Sequence, residues 1–186
     1  MKRRHLLAGI GAGAACLAGC LGTDGTPDET DGTPRPDGPA IDDQPCPPYE
    51  TDRDRAVCSH TVETDDEPVS LTVDPERGSL SDGTTDDEHT LTLHNQSDMD
   101  LTFNPNSWRF RYDGGSGWQP LQAELAGDGH VTLQAGETRS WTFTEAVGTI
   151  QENPELEPGL YAAELGVPDP DGDDEWLACL ALCRLV

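Results

Sequence analysis

From residue 69 to residue 183 apolar and polar side chains alternate in short runs, the period of a strand that buries one face and shows the other to solvent. "VSLTV" (69–73) and "HTLTLHN" (89–95) follow it, the second placing Leu91 and Leu93 on one face. "MDLTF" (99–103) aligns Leu101 with Phe103. "WRFRY" (108–112) sets Trp108, Phe110 and Tyr112 on one side and Arg109 and Arg111 on the other. The glycines of "DGGSG" turn the chain into "WQPL" (118–121). "HVTLQ" (130–134), "TRSWTFT" (138–144), "GLYAAELGV" (159–167) and "EWLACLALC" (175–183) complete the set. Some eight or nine strands in ~130 residues, with no ten-residue helical stripe, predict an all-β antiparallel sandwich.

Ahead of these runs the pattern changes twice. Lys2, Arg3 and Arg4 precede an apolar, Gly/Ala-rich stretch from Leu6 to Gly19. At ~14 residues it is short of the ~20 that a spanning helix needs. Gly9, Gly11 and Gly13 would weaken a buried core helix, so residues 1–19 read as an export signal. "KRRHLLAG" resembles a twin-arginine signal, with Arg3 and Arg4 as the pair. Leu17-Ala18-Gly19-Cys20 resembles a lipobox, which implies that Cys20 becomes the lipidated N-terminus and that Cys16 is discarded. Two buried lipid chains, at ~0.8 kcal/mol per methylene, anchor a protein without a transmembrane helix. Residues 21 to about 45, following Cys20 in the linker expected over 20–45, are mostly Thr, Asp, Gly and Pro with almost no large apolar side chains, and "TDGTP" occurs at 23–27 and again at 30–34. Such a segment is expected to be a disordered tether, and the folded module is expected over 46–186.

The run "LTLHNQSDMDLTFNPNSWRFRYDGGSGWQPL", followed by "LQAGETRSWTFT" and "LEPGLYAAEL", resembles a bacterial-type immunoglobulin-like domain. Small intracellular proteinase-inhibitor domains have a similar layout. The likeness spans roughly residues 69 to 167 and implies an immunoglobulin-like sandwich far more than an activity. The cysteine-bearing extensions at both ends depart from the general pattern.

Charge sets the medium and removes whole classes of partner. The chain has 36 acidic residues and 11 Lys plus Arg, a net charge of −25. Without residues 1–19 the lone lysine and two arginines are lost, leaving −28. That charge excludes nucleic acid and anionic membrane faces as partners. The acids are spread through the apolar-patterned segments instead of being blocked together as in an acidic tail. Multimolar salt is the expected solvent, because a Debye length of ~3 Å or less screens self-repulsion. Lysine depletion with arginine retained resembles haloarchaeal proteins.

Four further cysteines follow Cys20 in the expected mature chain: Cys46, Cys58, Cys179 and Cys183. An even number outside the cell reads as two disulfides. Cys179 and Cys183 lie ~13 Å apart along a strand, too far to pair with each other. Each is therefore expected to bond one of Cys46 and Cys58. Pairing of Cys46 with Cys58 is the fallback if 179–183 is helical. Asn95-Gln96-Ser97 is an N-glycosylation sequon on an expected hairpin turn. Asp169, Asp171 and Asp173 alternate like the start of a calcium loop, yet the sixth and twelfth positions, Asp174 and Leu180, are not the Gly and Glu the loop requires. A looser cation site at these three stands against a solvated acidic turn. His60, His89, His94 and His130 are scattered, and of Trp108, Trp118, Trp141 and Trp176 three sit in alternating strands and read as core. No nucleophile elbow, zinc-binding His pair or phosphate loop occurs.

Together these readings predict a non-enzymatic lipoprotein without cofactor, lipid-anchored on the extracellular face of the cell membrane. It would bind an extracellular protein or glycan through its loops or a strand edge. The alternatives are a proteinase inhibitor, with the loops at 74–88 and 145–158 presented to a protease, and a metal or redox carrier using the Cys179–Cys183 pair.

Overall fold

The computed structural model describes residues 39–50, 52–81, 83–85, 88–125 and 127–186. The expected signal, Arg3, Arg4, Cys20 and most of the expected tether lie outside the described residues. In chain order the strands are β1 (Arg55–Cys58), β2 (Val69–Asp74), β3 (Arg77–Gly78), β4 (Leu80–Ser81), β5 (Thr84–Thr85) and β6 (Thr90–Asn95). They continue with β7 (Leu101–Phe103), β8 (Trp108–Asp113), β9 (Gln119–Pro120), β10 (Val131–Leu133) and β11 (Thr138–Thr142). A short helix α1 (Phe143–Gly148) precedes β12 (Gly159–Pro168) and β13 (Trp176–Leu185). The larger sheet runs β1-β13-β12-β8-β9, with β3 also on β13. Against it lie the ladders β11-β6-β2 and β10-β7, β2 packing on β13 and β7 on β12. The all-β sandwich is as the alternation predicts.

Three details differ from expectation. The sheets are not wholly antiparallel, since β1 and β3 run parallel to β13 along its outer edge. Residues 143 and 144 are helical instead of extending "TRSWTFT", because Thr142 and Glu145 form a capping box. The Thr142 hydroxyl accepts from Glu145 N–H at 3.0 Å, and the Glu145 carboxylate accepts from Thr142 N–H at 2.9 Å. The helix then turns Phe143, Ala146 and Val147 into the core. The folded module also begins before Cys46: Ile41 is buried against Leu160, Ala162 and Leu182.

β12 and β13 pair over ten residues, from Gly159↔Leu185 to Pro168↔Trp176. One face of the hairpin sends Tyr161, Leu165, Leu177, Cys179, Cys183 and Leu185 into the core between the sheets. The other face carries Leu160, Ala162 and Leu182, with Ala178 and Leu180 in a cluster beside Cys58, and these are buried too. Burial on both faces explains why the two strands read as near-continuous apolar runs. Trp108, Phe110 and Phe143 fill the centre, with Phe110 and Phe143 edge to face at 5.2 Å. Tyr161 adds a tyrosine corner of the kind seen in immunoglobulin-like sandwiches. Its hydroxyl donates to Glu157 C=O at 2.8 Å and accepts from Glu157 N–H at 2.9 Å. Burial pushes this phenol up to about 12, so it keeps its proton across the neutral range.

Replacing Tyr161 with Phe deletes both bonds while keeping the ring. Denaturant titration should show a loss of about 1 to 2 kcal/mol with an unchanged far-ultraviolet spectrum. A neutral result would show that water serves Glu157 as well as the phenol does.

Candidate functional site

Residues 39–50, with Asp52 and Arg53, form a strap over the outer face of the larger sheet. It starts where the Arg184 guanidinium donates to Pro39 C=O at 3.2 Å and ends where Asp54 N–H donates to Trp176 C=O at 3.0 Å. The strap thus runs the length of β13 before the chain reverses into β1. Three features fasten it. Cys46 and Cys58 form a disulfide, with Cα atoms 5.9 Å apart. Ile41 seats on Leu160 and Leu182. Arg53 lies over the Trp176 ring at 5.2 Å and against Gly166, where a Cβ would overlap the guanidinium.

Under the strap sits an ionic network. Arg111 donates to Glu164 at 2.6 Å and to Glu50 of the strap at 3.2 Å. Arg109 lies 3.8 Å from both Glu50 and Asp52, and 3.9 Å from Glu164. Glu164 is only 1% exposed, and its Oε1 has no hydrogen-bond partner among the described residues. Sequence reasoning put Arg109 and Arg111 opposite the aromatic face but missed Glu164. The readable signal is a single acid inside the apolar run "LYAAELGV".

The cysteine pairing expected from the sequence is corrected. Cys179 and Cys183 are free thiols, both buried, although 179–183 is strand and not helix. The reason is side-chain parity. β1 registers Cys58 beside Leu180 and Val57 beside Cys179, so Cys58 points to the outer face while Cys179 and Cys183 point inward. Only Cys46, on the strap, reaches Cys58. Burial pushes Cys183 up to about 12 and Cys179 further in the same direction, so both stay as thiols. A buried thiol is a poor nucleophile and metal ligand.

Two weaker candidates, the Asn95 sequon and the Asp169, Asp171 and Asp173 turn, have surroundings that favour the structural reading. Asn95 is 1% exposed, and its Nδ2 donates to Met99 C=O at 2.8 Å and Gln134 C=O at 2.9 Å. The folded protein therefore offers no glycan acceptor there; the residue pins the β6–β7 turn. Asp169 is held by the Arg55 fork at 3.0 and 3.2 Å, which fills the oxygens a cation would need. Asp171 is only a distant partner of Arg55 at 3.7 Å, and Asp173 is exposed. Among the described residues no group of three or more His, Cys, Asp or Glu is arranged to hold a metal ion. Burial alone would raise the Asp169 pKa, but the Arg55 bond and the Asp171 N–H outweigh it and hold the carboxyl below its usual range.

Of the tryptophans, Trp108 is core, Trp141 is half-buried in edge contact with it at 5.1 Å, and Trp176 is 38% exposed under Arg53. The segment 145–158 is no free loop: Val147, Ile150 and Leu156 are buried, and Leu156 N–H donates to Gly83 C=O. Part of 74–88 is likewise tied down, in β3 and the β4–β5 ladder. Beside residues 151–157 lie two clefts of about 200 and 320 Å³, one lined by Tyr112, Gln119 and Glu157, the other by Thr84, Thr144 and Asn153.

No family model matches the chain, and no curated protein matches it at a significant level. Among solved structures, the chain is similar to an alkylpurine DNA glycosylase of Pseudomonas fluorescens, at 15% identity and TM-score 0.31 over 64% of this chain and 31% of that one. It is similar to a β-glucosidase of Listeria innocua at 21% identity and TM-score 0.29, over 61% of this chain and 16% of that one. A PapD-like domain of human CEP192 gives 17% identity and TM-score 0.30, over 63% and 85%. At such scores none of the three bears on activity, ligand or partner, and the sandwich rests on its own strand pairing.

Two substitutions probe this region. Glu164→Gln leaves Arg111 without its buried counter-charge and should cost about 3 kcal/mol, less when Arg111 is also replaced by Met. Asp169→Asn should cost about 1 to 2 kcal/mol at neutral pH. Because the native carboxyl titrates below its unfolded value, that difference is full above the ordinary carboxylate range. It should vanish as pH falls through the depressed native pKa. Denaturation curves at a series of pH values measure both effects.

Proposed function

We propose that this chain is a lipid-anchored, non-enzymatic surface protein whose β-sandwich is a binding module on the outer face of the cell membrane. The observation that carries the reading is the Cys46–Cys58 disulfide, which fastens the root of the N-terminal segment to the sheet. Disulfides of this kind persist in oxidising compartments outside the cytosol. The order of basic residues, apolar stretch and Leu17-Ala18-Gly19-Cys20 supports the same address, with Cys20 as the lipidated residue and Arg3 and Arg4 as the export pair. The charge balance of the chain supports a high-salt medium, where a carboxylate-rich surface stays hydrated.

The module works by contact, and its free strand edges and loops are the surfaces on offer. Its partner is an extracellular protein or glycan, met at a distance from the lipid set by the tether. The two buried thiols argue against the redox-carrier alternative, and the packing of 145–158 argues against that segment as an inhibitory loop.

Expression of the full chain and its Cys20→Ser variant in a host grown in molar salt tests the anchor. The parent should sediment with membranes and give a mature N-terminal peptide at Cys20 carrying two lipid chains. The variant should move to the soluble fraction or the medium. Equal membrane retention of both forms, or a cytosolic parent with residues 1–19 intact, would overturn the reading.

A further inference from the structure

We infer that the open edge of β11 is the docking edge of this module, and that it receives an extended, carboxylate-bearing segment of a partner protein as an added strand. The inference deepens the binding-module reading but does not rest on the lipid anchor.

The backbone pattern is the first ground. Asn95 N–H donates to Glu137 C=O and Phe143 N–H to His89 C=O, which fixes the hydrogen-bonded pairs of the β11–β6 ladder at residues 137, 139, 141 and 143. The N–H and C=O groups of Thr138 and Ser140 therefore point away from β6. Among the described residues nothing bonds to them, and β11 has no second strand neighbour. Thr142 differs, because its outward N–H is taken by Glu145. The open edge thus offers two donors and two acceptors at the spacing of a β ladder.

Charge is the second ground. Thr138, Ser140 and Thr142 share the outward face of the ladder with Thr90, Thr92 and His94. No carboxylate occupies these six positions in a chain with 36 acids. A strand approaching between Thr138 and Ser140 meets hydroxyls, some already bonded to one another, as Thr92 and Ser140 are at 2.9 Å, while the Glu145 carboxylate at Thr142 and Asp74 opposite Thr90 bound this uncharged stretch.

The third ground is Arg139, on the opposite face of β11. It lies over the Trp141 ring at 5.3 Å. Among the described residues it has neither an ion pair nor a hydrogen bond, and its Nε is buried without an acceptor. Arg55, Arg109 and Arg111 all hold carboxylates. A cation left unpaired at an open edge fits a carboxylate carried by the incoming strand. A plain edge guard is the competing role for Arg139, and it predicts no strand addition.

The test uses the full chain with Cys20→Ser, in molar salt, and two synthetic nonapeptides alternating Thr and Val with either Asp or Asn at the charged positions. Amide shifts and Trp141 fluorescence report binding. The Asp peptide should bind saturably and shift the amides of Thr138 and Ser140. Ser140→Pro removes an outward N–H and leaves the backbone bonds to β6 in place, and against Ser140→Ala, which loses the same hydroxyl contact to Thr92, it should weaken binding at least tenfold. Arg139→Gln should weaken the Asp peptide about threefold and leave the Asn peptide unaffected. Absence of saturable binding, equal binding by Ser140→Pro, or no preference for the Asp peptide would each overturn the inference. Membrane fractionation of the parent chain separates such a failure from a failure of the anchor.

Discussion

The ten-residue ladder between β12 and β13 is buried on both faces, and the rest of the molecule is arranged to satisfy that condition. A sheet in a sandwich ordinarily shows one face to water, and its strands alternate. Here the inner face meets β2 and β7, while the outer face would expose Leu160, Leu180 and Leu182 if nothing lay over it. At about 1.5 to 3 kcal/mol for each leucine, leaving that face bare would consume a large share of a domain's net stability. Residues 39–50 and 52–58 supply the missing layer, as a strap and a parallel edge strand.

Side-chain parity then decides the chemistry of the cysteines and the ion pair. Because strand neighbours alternate faces, Cys58 shares the outer face with Leu180, and Cys179 and Cys183 share the core with Tyr161 and Leu185. The disulfide therefore ties the strap to β1 on the outer face and does not cross the core. Glu164 falls on the outer face, opposite Arg109, where it meets Arg111 and the strap's Glu50. Desolvating a carboxylate is repaid only when hydrogen bonds and opposite charge are well placed, which ties the strap's position to the arginines of β8.

The two sheets consequently divide the work. The larger is covered on its outer face by the strap, and β1 and β3 pair along part of β13. The smaller ladder keeps an open β11 edge, and the outward positions of β11 and β6 carry no carboxylate in a carboxylate-rich chain. If the proposed docking at β11 holds, stability and recognition are assigned to different sheets.

Much of the architecture was legible in the sequence because alternation is a local signal. "TLTLHN" and "WRFRY" became β6 and β8 with the faces assigned to them, and "VSLTV" became β2, with Ser70 buried as fully as Val69 and Leu71. The same signal misled at Phe143, where the Thr142–Glu145 capping box, itself readable, overrode strand propensity. It was silent on β1, four residues with no alternation to detect. Asn95 looked like a turn sequon, but its amide is spent on carbonyls 38 and 39 residues away, a contact no local motif announces. The sequence by itself determined the all-β class, the approximate strand set and the acidic character of the surface, since these depend on period and composition. Only the tertiary structure decided the disulfide partners, the strap, the Glu164 network and the open β11 edge, because each depends on which strands lie side by side and in what register.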